Sequence, residues 1–68
     1  MPLLFRSKRL SEQELVAHAG QQLRHHGVNA PLRSEMKAAR FREEGKLEEA
    51  RRWQAIAAKL RVLMAEAT

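Results

Sequence analysis

The sequence predicts an all-α fold: a small three-helix domain in which the second and third helices form an antiparallel hairpin. Three observations carry this. Ala, Leu, Glu, Arg and Lys dominate, while Val, Ile and aromatic residues are few; such a composition favours helix over strand. From Gly45 onward, Ala50, Trp53, Ala57, Leu60, Met64 and Ala67 follow a 3-4-3-4-3 spacing, which makes one apolar seam along a helix. Two glycines, Gly27 and Gly45, interrupt the helical periodicity where helices should stop.

The first helix is expected over residues 11–26. Ser11 and Glu14 form an S-x-x-E capping box, with Leu10 and Leu15 at the staple positions around it. Leu15, Val16, Ala19 and Leu23 make its apolar face, ending at His26. Gly27 can take positive φ and close the helix, which puts Val28 where a Schellman motif makes its apolar contact.

The second helix is expected over residues 30–44, with Asn29 as its N-cap and Pro31 in the first turn, where a missing N–H costs nothing. Leu32, Met36 and Ala39 share one face with Glu43 in line, and Ala38 and Phe41 point roughly opposite. The helix therefore offers two apolar surfaces. Gly45 ends it, and the third helix follows over residues 46–66. So short a connection makes a hairpin. Glu48 and Glu49 suit the positive end of the third helix's dipole, and Lys59 and Arg61 lie toward its negative end. The expected core is Leu15, Val16, Ala19, Leu23, Leu32, Met36, Ala39, Phe41, Leu47, Ala50, Trp53, Ile56, Ala57, Leu60 and Met64.

With 68 residues the chain holds one domain, read here as residues 10–68 behind an irregular basic arm at 1–9. A core in this size range supplies only about 3–5 kcal/mol. There is no Cys, so no disulfide or thiolate zinc site reinforces it; helix packing, and self-association, are the remaining means. No apolar run approaches the ~18 residues that span a bilayer. The start does not read as a signal peptide, because its apolar stretch is short and its charges follow that stretch. The expected location is the cytoplasm.

Catalytic parts are missing from the pattern. His18 and His25 are seven residues apart, about 10 Å along a helix, too far to share one metal. His25 and His26 point about 100° apart. Glu43, Glu44, Glu48 and Glu49 cluster at the hairpin tip without a ligand motif, and read as solvated helix ends. Ser7, Ser11 and Ser34 sit in no nucleophile context, and no Gly-rich loop cradles phosphate. We therefore expect no catalytic, cofactor or metal residues, and no enzyme.

The charge is more telling. The formal net charge is +5, which suits an acidic partner or simple solubility. Arg33, Lys37 and Arg40 follow i, i+4, i+7 and stripe the second helix, and Arg6, Lys8 and Arg9 make the arm basic. These six are the candidate partner or phosphate contacts. Ile56, Val62 and Leu63 are candidate apolar contacts: Ile56 and Leu63 widen the third-helix seam to one flank, and Val62 points roughly away from it. Leu3, Leu4 and Phe5 beside the basic arm make a weak membrane anchor, since stable anchoring takes two signals.

At His26-Gly27, Ala30-Pro31, Gly45, Trp53, Ile56-Ala57 and Leu60 the chain resembles a group of short bacterial helical proteins of unknown function. The resemblance covers about residues 20–64. It implies a compact helical domain and no assigned activity. Lys46 stands after Gly45 where that pattern often has Asp. Ala38, Phe41, Gly45, Leu47, Ala50 and Ala57 are also similar in spacing to one tetratricopeptide-type hairpin. Ser34 and Lys37 replace that repeat's opening Trp and Leu, and a single copy lacks the stacked neighbours such repeats need. That likeness implies hairpin packing, not peptide binding.

The reading that follows is a non-enzymatic protein–protein interaction module or accessory subunit, with a protein partner that includes a second copy of itself among the options. The alternative is a basic nucleic-acid binder using the second-helix stripe and the arm. If Trp53 is a core residue, Trp53→Ala costs about 3–5 kcal/mol, visible as a collapsed melting curve.

Overall fold

The structure, a computed structural model, describes residues 10–67. Among these the chain is all-α: α1 spans Glu12–His26, α2 Ala30–Glu43 and α3 Leu47–Ala67. The capping box forms as the sequence implies. The Glu14 N–H donates to Ser11 Oγ at 3.1 Å, and the Ser11 N–H donates to Glu14 Oε1 at 3.0 Å.

The junction of α1 and α2 departs from the expected loop. Gly27–Asn29 is a 3₁₀ turn that runs straight into α2. Residues 12–43 therefore make one bent helical arm, and α3 makes the other. Gly27 takes φ 61° and ψ −137°, and its N–H donates to the Leu23 carbonyl. Only glycine adopts that backbone readily. Because this ψ is not that of a Schellman turn, Val28 has no apolar partner to fold onto and stays 79% exposed. Nor does the Asn29 side chain cap α2. Asn29 has φ −87° and ψ 0°, not the extended backbone of an N-cap, and Pro31 has no N–H for the Asn29 side chain to accept.

The α2–α3 connection is the Schellman turn that α1 lacks. The Lys46 N–H donates to the Phe41 carbonyl at 2.8 Å and the Gly45 N–H to the Arg42 carbonyl at 3.0 Å, with Gly45 at φ 82°. The apolar contact that usually accompanies this motif is replaced by the Lys46 ammonium, 6.0 Å from the Phe41 ring centroid. The turn sends α3 back along α2, antiparallel to it.

The core lies along α3. Ile56 and Leu60 are fully buried with Ala19 of α1 and Ala30 of α2, and Leu10, Leu15, Leu23, Trp53 and Leu63 pack around them. Toward the hairpin, Ser34 and Ala38 of α2 are buried, as are Ala50 and Ala57 of α3. The buried ridge of α2 is thus Ala30, Ser34 and Ala38, at i, i+4, i+8. Small side chains on such a ridge let two helices pack at close range.

Of the two apolar surfaces expected on α2, this ridge keeps the one marked by Ala38, with Phe41 half-buried, and overturns the other. Leu32 and Met36 are 58% and 59% exposed, and Ala39 is exposed with them. About 100° per residue sets them opposite the small ridge, so once Ala30, Ser34 and Ala38 meet α3, they must face solvent. Leu47, at the first turn of α3, and Val16, at the margin of the α1 face, are also exposed, contrary to expectation. On α3 the seam follows its spacing through Ala50, Ala57 and Leu60, with Trp53 and Met64 half-buried; Ala67 is exposed.

Two ion pairs tie α3 to the bent arm: Lys59 with Glu12 of α1, and Arg61 with Glu35 of α2. Each lies at the surface and contributes about 0–1 kcal/mol.

Leu60→Ala, inside the core, is expected to cost about 2–5 kcal/mol, comparable to the whole stability of such a domain. Leu32→Ala, on the solvent face, should stay within about 0.5 kcal/mol. Because Trp53 is only half-buried, its truncation should cost less than the 3–5 kcal/mol of an enclosed Trp. Denaturant titrations of the three variants check this ranking. The buried Ser34 hydroxyl has no hydrogen-bond partner, and an unsatisfied group of this kind costs about 1–3 kcal/mol. Ser34→Ala should therefore raise the melting temperature.

Candidate functional site

The structure sorts the basic residues by what occupies them. On α3, Lys59 and Arg61 are engaged by Glu12 and Glu35, and Arg52 lies 3.7 Å from Glu49 one turn before it. On α2, Arg33, Lys37 and Arg40 form one flank of the helix, as their spacing requires. Among the described residues Arg33 and Arg40 make no ion pair. Lys37 holds its ammonium 4.7 Å from the centroid of the Trp53 ring. Such a contact at a partly exposed ring is worth about 0.5–1 kcal/mol. It also fixes where the Lys37 charge stands.

These three cations border a shallow groove of about 370 Å³ between the end of α1 and α2, lined also by Gln22, His26 and Met36. No carboxylate of the described residues lines it. The last turn of α1 brings His26 there because Gly27 ends the helix one residue later. Met36 joins the groove to the exposed Leu32 one turn earlier on α2. Viewed down α2, the order is therefore the small buried ridge, then the cationic flank, then the apolar strip of Leu32 and Met36. The opposite flank of α2 is different. There a second groove is lined by Glu35, Ala38, Arg42, Gln54, Ala57 and Arg61, and the Glu35–Arg61 pair neutralises part of its charge.

Of the residues expected to make contacts, Arg33, Lys37 and Arg40 are thus brought together. Arg6, Lys8 and Arg9 lie outside the described residues. Ile56 is fully buried and belongs to the core, not to a contact surface. Val62 is exposed, and Leu63 is half-buried against the core cluster. Gln22, His26, Leu32 and Met36 were not expected at a site. The signal for the last two was present: two large apolar residues at i, i+4, set opposite a ridge of small ones.

Among the described residues no three His, Cys, Asp or Glu side chains come close enough to hold a metal. The rings of His25 and His26 are 6.3 Å apart and inclined at 51°. No helix among these residues is long and apolar enough to cross a membrane. Compared with protein-family models, with curated proteins and with solved structures, the chain matches none.

Replacing Lys37 by Gln removes the cation from the Trp53 face. It should cost about 0.5–1 kcal/mol and alter the emission of Trp53, the sole tryptophan of the chain. Fluorescence and melting of the same variant check both.

Proposed function

We propose that this chain is a small three-helix domain that works as a non-enzymatic protein–protein interaction module, and that its contact surface is the outer face of α2. One observation carries the reading. Leu32 and Met36 are more than half exposed, side by side, on a helix whose own core contact is made by Ala30, Ser34 and Ala38. Single exposed apolar residues are ordinary, but adjacent ones beside a cationic groove have the layout of a binding surface. Kinship with the short bacterial helical proteins that the sequence resembles is part of this proposal. It is supported by the roles of its markers, with Gly27 and Gly45 at turns and Leu60 in the core.

The test is a paired capture experiment. The Leu32→Ser/Met36→Ser variant should fold as the parent does, since neither side chain is in the core. Proteins of the host retained by the parent should be lost from the variant. Equal retention by both would remove the outer face of α2 from the reading.

The carboxylate-free groove supports a second reading, nucleic-acid binding through Arg33, Lys37 and Arg40. A mobility-shift titration at low salt tests it, because phosphate contacts are strongest there. Absence of a shift would exclude it.

A further inference from the structure

We infer that the partner of this face is an acidic amphipathic helix, which sets carboxylates against Arg33, Lys37 and Arg40 and an apolar anchor against Leu32 and Met36. The inference rests on the interaction-module reading and names the chemistry of its partner.

Charge complementarity is the first argument. The groove gathers three cations and no carboxylate, and Arg33 and Arg40 have no ion-pair partner among the described residues. Lys37 is held over Trp53, so its charge is already placed and less side-chain freedom is lost when it is engaged. The spacing of the three cations along α2 covers about 10 Å of helix. A helix lying beside α2 presents carboxylates at i, i+4 and i+7 over the same length.

The apolar strip is the second argument, and it separates a peptide from a nucleic acid. Leu32 and Met36 lie next to the cationic flank, so a ligand that reaches one reaches the other. A phosphate backbone would engage the cations and leave both apolar side chains against hydrated sugar and phosphate. An amphipathic helix covers both surfaces at once, with anchors at helical spacing. Met36, unbranched and polarisable, adapts to the shape of such an anchor.

A second copy of the chain fits less well. Two α2 helices paired antiparallel about a two-fold axis set like flank against like flank. Arg33, Lys37 and Arg40 would then meet the same cations, on chains that each carry +5.

The experiment is a display selection with the folded chain as bait. The library presents helical peptides of about four turns, randomised at the positions of one face. The expected result is enrichment of peptides with Glu or Asp at i, i+4 or i+7 beside a large apolar residue. The selected peptides, labelled and titrated by anisotropy, should lose about tenfold or more in affinity to the Arg33→Glu/Arg40→Glu variant. They should lose a similar factor to Leu32→Ser/Met36→Ser, and weaken as salt rises. Enrichment of neutral or basic peptides, or no enrichment, would overturn the inference. So would binding that survives charge reversal, or a single-stranded oligonucleotide that binds the groove more tightly than the best peptide. Concentration-dependent dimerisation abolished by Leu32→Ser/Met36→Ser would overturn it in favour of the second copy. Capture of host proteins through the outer face, together with failure of acidic peptides, would leave the interaction module standing and reject only the acidic partner.

Discussion

Everything else in this molecule depends on the close packing of α2 against α3 through small side chains. Ala30, Ser34 and Ala38 meet a helix that contributes Ala50 and Ala57 beside Ile56 and Leu60. Among the described residues, the fully enclosed large hydrophobic side chains are those two alone. The fold is stabilised less by the volume of its core than by the nearness of its helices. Dispersion falls steeply with separation, so a ridge of Ala and Ser contributes only if nothing larger holds the backbones apart. That requirement fixes the rotation of α2, and with it the direction in which every other residue of that helix points.

Two turns hold this rotation in place. At one end the 3₁₀ turn at Gly27–Asn29 passes the chain from α1 to α2 with no slack. At the other the Schellman turn at Gly45 couples α2 to α3 within three residues, and Lys46 closes it over Phe41. A longer loop at either end would hold α2 less firmly in that rotation. The positive-φ glycines thus decide more than where helices stop. They help hold the small ridge, and not Leu32 and Met36, against α3.

The elements were legible in the sequence because they are written in local chemistry. Ser11 with Glu14, Gly27, Gly45 and the Ala50–Leu60 seam mark their own positions. The inner face of α2 was legible only in part: Ala38 and Phe41 marked it, and Ala30 and Ser34 did not. Ranking faces by apolar bulk selects Leu32, Met36 and Ala39 over Ala30, Ser34 and Ala38, yet helix packing rewards fit at the available distance, and the hairpin makes that distance short. The cationic stripe was readable from spacing alone. Its neighbours Gln22 and His26 were not, because their place beside α2 depends on how sharply α1 gives way to α2. Ile56 shows the same limit from the other side. It was expected both in the core and at the contact edge of the seam, and it is core only, packed with Ala19 of α1.

The rotation of α2 also explains why a marginal domain tolerates an exposed Leu–Met pair. Burying both side chains instead of exposing them would contribute about 1.5–3 kcal/mol each, a large share of what a chain of this size holds. It would also force the small ridge outward, separate α2 from α3, and forfeit the close contacts of Ala30, Ser34 and Ala38. The cations and the apolar pair are locked to one another by the helix that bears both. Keeping the small ridge against α3 requires keeping Leu32 and Met36 in water. The outer face of α2 is therefore not a defect of packing. It is the counterpart of the small ridge, and its side chains are free to change without disturbing the contacts that hold the fold.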